Sequence, residues 1–139
     1  PSLIKDKKLK NIYESVINSS LIYLFAELTG RVTWAQGVLY FYGPEITELL
    51  LPNLAKLKKE QASQIIKAFS SLLKRPIKSI FEEVKMKDRQ KLDKLVLEAL
   101  GLDPKEYLKP IYDGLCELVE ERISLAKMRK NAKNAMALE

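Results

Sequence analysis

Apolar residues recur along most of this chain at three- and four-residue intervals, the spacing that gives a helix one buried face. Ile12, Val16, Ser19, Tyr23 and Leu24 fall on one such stripe, and Gly30 is placed to stop it, so a first helix is predicted over about residues 8–28. Over residues 31–43 the period changes. Val38, Leu39, Tyr40, Phe41 and Tyr42 form a β-branched and aromatic run that predicts a short strand near residues 38–42, entered by a loop. Pro44 ends that run, residues 45–51 suit a brief helix, and Pro52 with Asn53 turns the chain again.

Downstream the pattern is helical throughout. Ala62, Ile65, Ile66, Phe69, Leu72 and Leu73 make a stripe that closes before Pro76, and Ile77, Ile80, Phe81 and Val84 predict a short helix or turn. Asp88 is placed to cap the next helix, whose face is Leu92, Leu95, Val96 and Ala99, and Gly101 to end it. Asp103, Pro104 and Glu106 then supply an N-cap, a first-turn proline and a capping-box acceptor, the clearest start signal in the chain. The last helix carries Leu108, Ile111, Tyr112, Leu115, Leu118, Val119, Ile123 and Ala126 on one side for about six turns, with Pro110 and Gly114 interrupting its beginning. The fold class is therefore mainly α: one helical domain over residues 1–139, with a single short β element near 38–42 and a helical segment over 60–133.

A chain of 139 residues, 47% of them hydrophobic, is long enough to bury a sizeable core as one domain. Its net charge of +6 suits a phosphate-facing surface and equally a merely solvated one. Cys116 has no second cysteine to pair with and reads as a small core residue. No apolar run approaches the ~20 residues that cross a bilayer, and no signal-peptide pattern opens the chain, so a reduced, cytoplasmic protein is expected. Pro1 at the start and Leu138–Glu139 at the end read as the edges of a piece cut from the C-terminal end of a larger protein, the latter as a linker scar.

Catalytic patterns are missing from the sequence. With no histidine and one cysteine there is no zinc cluster and no histidine-activated nucleophile, and no glycine-rich phosphate loop occurs. Glu82 and Glu83, like Glu117, Glu120 and Glu121, lie among lysines and arginines and read as solvated surface. The chain alone is expected not to be a complete enzyme.

Residues 18–54 carry another kind of signal. They read Asn-Ser-Ser-Leu-Ile-Tyr-Leu-Phe-Ala-Glu-Leu-Thr-Gly-Arg, a short loop, Gly-Val-Leu-Tyr-Phe-Tyr-Gly-Pro-Glu-Ile, and Leu-Leu-Leu-Pro-Asn-Leu. In this order they resemble the C-terminal target-recognition region of TaqI-like adenine-N6 DNA methyltransferases and their fused type II restriction-modification relatives, in which an Asn-Ser helix ends at Gly-Arg, a glycine-led strand follows, and a Leu-Pro segment closes the unit. The stretch Leu-Asp-Lys-Leu-Val-Leu-Glu-Ala-Leu-Gly-Leu over residues 92–102 resembles the helix near the end of such proteins, followed by one that ends in an arginine like Arg122. The resemblance spans about residues 18–129, with 18–53 as its recognition-like segment. It implies that a missing N-terminal catalytic domain binds S-adenosylmethionine and holds the flipped adenine, while this chain grips duplex DNA and selects the site without a cofactor of its own. Flipping a base costs a few kcal/mol, which contacts to neighbouring phosphates and bases offset.

Candidate DNA contacts follow, each with a plainer reading beside it. Arg31 is placed to reach a phosphate or a guanine edge, or to pair with Glu27 at the surface. Thr33, Trp34 and Gln36 lie in a loop able to meet a groove, with Trp34 equally suited to plugging the core beneath it. Tyr40 and Tyr42 alternate with Leu39 and Phe41, so that one pair faces outward. The lysines and arginines of residues 74–94 are diluted by Glu82, Glu83, Asp88 and Asp93. Lys127, Arg129, Lys130 and Lys133 are of one sign and suit phosphate contact or simple solubility. A helical protein–protein interaction module is the alternative. Because the 38–42 strand has no evident partner strand, pairing between two copies, or burial of the 108–126 stripe against its twin, is expected to give a homodimer.

Overall fold

Seven helices and one small hairpin make up the computed structural model, which describes residues 6–32 and 37–136, the side chains of Arg31 and Val32 excepted. In chain order these are α1 (Lys7–Ile17), α2 (Ser20–Thr29), β1 (Arg31–Val32), β2 (Leu39–Tyr40), α3 (Gly43–Glu48), α4 (Lys59–Leu72), α5 (Ile80–Glu83), α6 (Lys87–Ala99) and α7 (Pro104–Met136), with a 3-10 turn at Leu54–Lys56. The fold is mainly α, as the periodicity predicts. Helices α1, α4 and α6 pack together around Ile12, Val16, Ile65, Ala68, Leu72, Leu92 and Val96, all buried. On the other side of α6, the 33-residue α7 lies along α2 and α6 and buries Ile111, Leu115 and Val119. Part of its apolar stripe is thus covered within the chain, while Ile123 stays exposed.

The predicted continuous helix over 8–28 is two helices, and the reason is a tertiary interaction. Ser19 adopts an extended conformation (φ −80, ψ 154). The Ser20 N–H and hydroxyl donate to the two oxygens of Asp93 on α6, at 2.8 and 2.7 Å. A carboxylate at the start of α2 meets the positive end of the helix dipole, and the preceding Asn18 carbonyl accepts from Arg89, one turn earlier on α6. Two side chains of α6 thus satisfy the free backbone groups on both sides of the break, where an unbroken helix would leave Arg89 and Asp93 buried without them.

The short strand falls within 38–42 as expected, but the expectation that it lacks a partner strand is corrected. Leu39–Tyr40 pairs antiparallel with Arg31–Val32, with Arg31 opposite Tyr40 and Val32 opposite Leu39. The chain supplies its own partner strand, so the argument that an unpaired strand drives dimerisation loses its premise. Gly30 ends α2 in an extended conformation, with φ −71. Its lack of a side chain matters because Leu39 crosses over it: a Cβ there would lie 2.6 Å from the Leu39 side chain. Farther on, Asp103 accepts the Lys105 N–H at 2.9 Å and Gly101 takes φ 76, both as expected for a helix start and stop. Asp88 is not a cap, since α6 begins at Lys87 behind Met86 and the Asp88 carboxylate turns to Arg75.

Candidate nucleic-acid interface

The polar groups that hold α2 in place form two sets, one at each end. At its start, Asp93 is 2% exposed and accepts from Ser20 and from the Tyr112 hydroxyl of α7 at 2.7 Å. Burial pushes this carboxyl above its ordinary value, against the opposing pull of the Ser20 and Tyr112 donors. Burial and the neighbouring Asp93 charge likewise push the Tyr112 phenol up, which keeps it a neutral donor. Arg89, also 2% exposed, donates to Glu83 at 3.1 Å and lies 5.4 Å from the centre of the Tyr23 ring. Glu83 further accepts from Arg75 at 2.6 and 3.1 Å and from the Lys78 N–H at 3.0 Å. Its expected place on a solvated surface is therefore corrected: Glu83 is 2% exposed, and chiefly the Arg75 guanidinium holds its carboxyl down at about 2. Arg75 clamps Asp88 in turn at 2.6 and 2.9 Å, which holds that carboxyl below its ordinary range.

Toward the far end of α2, Glu27 and Arg122 of α7 form a two-point pair at 2.9 and 2.6 Å, both side chains mostly buried. Arg122 also donates to the Gly37 carbonyl. Gly37 has φ 64, and a Cβ added to it would stand 2.8 Å from the Ala126 side chain and 3.4 Å from the Arg122 carbonyl. The hairpin is thereby seated on α7 at the level of Arg122 and Ala126. The surface-pair reading of Arg31 with Glu27 meets a competitor, because Arg122 takes both oxygens of that carboxylate.

Along a helix turning about 100° per residue, positions 122, 126, 129 and 133 share one face. Arg129 and Lys133, both exposed, therefore continue the face on which the hairpin sits, toward the end of α7. Lys130 borders that stripe, and Lys127 lies farther round; both are exposed. Between Glu121 and the end of α7 at Met136 there is no acidic residue. Tyr40 and Tyr42 are 43% and 59% exposed, so the outward pair is the tyrosine pair, though Phe41 at 36% is scarcely more covered and Val38 is open as well. The backbone of Arg31 lies in β1; Thr33, Trp34 and Gln36 lie outside the described residues. Cys116 is half-buried on α7 rather than part of the core, and burial pushes its thiol up.

A cleft of about 370 Å³ opens beside Glu27 and Arg122, walled chiefly by Ile80, Phe81, Leu115, Val119 and Ile123. Among the described residues no group of acidic and cysteine side chains is arranged to hold a metal ion, and no helix is long and apolar enough to cross a membrane. Sequence reasoning missed the roles of Arg89, Asp93 and Gly37. The first two had a signal: at spacing i and i+4 they flank Leu92 and Val96 on the apolar face of α6, where ordinary surface charges do not belong. No family model matches the chain, and neither a curated protein nor a solved structure is significantly similar to it.

Proposed function

We propose that this chain is the DNA-recognition part of an adenine-specific DNA methyltransferase or restriction-modification enzyme, with S-adenosylmethionine and methyl transfer belonging to a separate catalytic domain. The observation that carries the DNA reading is the seating of the 31–40 hairpin on α7 beside an acid-free basic end. From Ala126 to Lys133 the helix advances about 10 Å, a length over which duplex DNA presents about six phosphate charges. A duplex lying along this end of α7 would meet Arg129, Lys130 and Lys133; the further contacts proposed from the sequence are Lys127, Arg31, Thr33, Trp34 and Gln36. Tyr40 and Tyr42 offer exposed faces next to it. The assignment to methyltransferases rests on the sequence resemblance, and its two separate stretches are joined here through Ser20 to Asp93 and through Glu27 to Arg122.

The test is a titration of labelled duplex DNA at several salt concentrations. Binding with a dissociation constant in the ~10⁻⁴ to 10⁻⁶ M range, falling steeply with salt, is the expected result, and replacing both Arg129 and Lys133 by alanine should lower the salt slope by about two. No binding even at low salt ends the DNA reading. The apolar cleft favours the alternative, a helical protein–protein interaction module, which predicts association that hardly changes with salt.

A further inference from the structure

Independently of that reading, we infer that the cleft between α2, α5 and α7 is a binding site for a small, uncharged apolar molecule carrying one hydrogen-bond acceptor, with Arg89 as the donor that orients it. Leu115, Val119 and Ile123 recur every fourth residue and so line one face of α7, and Ile80 and Phe81 of α5 add to the walls. Exposure rises along α7 from 1% at Leu115 through 9% at Val119 to 37% at Ile123, so the cleft is deep at the first and open at the last. Its volume of about 370 Å³ falls toward the lower end of the ~300–1,000 Å³ of small-ligand pockets. That admits a ring with a short substituent. A partner's helix would lie across the opening, out of reach of Arg89, which is 2% exposed.

Arg89 lines this cleft with one donor unspent. Its Nε donates to Glu83 and its Nη1 to the Asn18 carbonyl, while Nη2 donates to nothing among the described residues. A smaller hollow of about 150 Å³ also touches Arg89, but on the Asn18 side, where Nη1 is already engaged. Buried donors are nearly always paired, and one left without an acceptor costs free energy that an arriving carbonyl oxygen recovers. The charge of the occupant follows from the neighbours. Each cation in the lining already has its carboxylate: Arg89 has Glu83 at 3.1 Å, Arg122 has Glu27 at 2.6 Å, and the exposed Lys78 has Glu82 at 3.6 Å. An anion would give up its water for walls that hold no surplus positive charge. A ketone or amide accepts from Arg89 without that cost. Tyr23, whose ring centre lies 5.4 Å from the Arg89 guanidinium, adds an aromatic group to the lining, so an aromatic ring beside the acceptor suits the site.

Acetophenone, a ring bearing one carbonyl, is the probe; ethylbenzene lacks the acceptor, and benzoate carries a charge in its place. Each is titrated into the full chain while the methyl resonances of Ile80, Leu115, Val119 and Ile123 are followed by NMR. Acetophenone is expected to shift them saturably with a dissociation constant of ~0.1–1 mM, in keeping with so small a ligand. Ethylbenzene should bind about tenfold more weakly, the worth of one charge-assisted hydrogen bond, and benzoate should bind more weakly still. Val119→Phe fills the cleft and should abolish the shifts at the remaining methyls. If circular dichroism shows that this variant does not fold, Ile123→Trp closes the opening from its exposed rim and carries the same comparison. No saturable shift with acetophenone overturns the site. Shifts that survive in the folded variant place the ligand elsewhere and overturn it as well. Ethylbenzene or benzoate binding as tightly as acetophenone overturns the assigned chemistry and the role of Arg89. Shifts of these methyls with protein concentration alone, before any ligand is added, would seat a second copy in the cleft and end the proposal.

Discussion

Replacing Asp93 by alanine leaves three donors facing a space with no acceptor: the Ser20 N–H, the Ser20 hydroxyl and the Tyr112 hydroxyl, now held at 2.8, 2.7 and 2.7 Å. A buried donor stripped of its partner costs about 1–3 kcal/mol, and the two hydroxyls can rotate toward other acceptors while the backbone amide cannot. The expected loss is therefore about 3–5 kcal/mol, a large share of the ~5–15 kcal/mol that stabilises an ordinary domain. Asparagine should behave differently. Its carbonyl oxygen can take the place that faces the Ser20 N–H, and its amide nitrogen, which has two hydrogens, can donate to the Ser20 and Tyr112 oxygens that now donate to the carboxylate. Because asparagine also removes the need to bury a charge, Asp93→Asn should cost no more than about 1 kcal/mol. Urea unfolding followed by helical circular dichroism measures both. If alanine and asparagine destabilise equally, or alanine by less than about 1 kcal/mol, Asp93 does not hold the start of α2 in the way its hydrogen bonds indicate.

Glu83 sets an acid limit. Its carboxyl is held at about 2 against an ordinary 4.5, so its contribution is present above pH 4.5 and is lost as the pH falls toward 2. At ~1.4 kcal/mol per pH unit this amounts to about 3 kcal/mol, and Glu83→Gln should flatten the acid limb of a stability–pH curve; an unchanged limb refutes the assignment. Pro110 lies exposed inside α7, where it withholds one N–H from the helix ladder. Pro110→Ala should raise the thermal midpoint, by an amount equivalent to about 1–3 kcal/mol, and a lowered midpoint would mean that the proline serves the packing at the start of that helix.

Much of the architecture was legible because it is periodic. The stripes of α4, α6 and α7 can be counted off the chain, and Gly101, Asp103 and Pro104 mark the boundary between α6 and α7 by local chemistry. What escaped was decided by partners far away in sequence. The apolar spacing of residues 12–24 runs straight through Asn18 and Ser19, and only Arg89 and Asp93, some seventy residues downstream, turn one helix into two. Glu83 sits in a run of charges that looks solvated, yet four hydrogen bonds from Arg75, Lys78 and Arg89 make its burial tolerable. A two-residue strand such as Arg31–Val32 has no room for an alternating pattern, and its pairing becomes visible only once Leu39 folds back over Gly30. Among the candidate contacts, Tyr40, Tyr42, Arg129 and Lys130 are all exposed. Which of them share a face with the hairpin depended on where Gly37 lands.

The placement of the hairpin follows from how α2 is held. A ten-residue helix is marginal by itself, and α2 buries only Ser20 and Ile22 deeply. Its orientation is set instead by charge-assisted contacts near its two ends: Asp93 at the first residue and Arg122 through Glu27 in the last turn. Such pairs are costly to desolvate and add modest net stability, but each is satisfied in few geometries. Moving α2 by one turn along α7 would strand Asp93 and Glu27 at once, whereas an apolar interface would tolerate the shift more readily. Since β1 begins directly after Gly30, the register of α2 becomes the register of the hairpin, and through Gly37 the hairpin is returned to the same α7 that holds Glu27. Buried polar pairs thus fix where Gly37 and β2 stand relative to α7 and its basic end.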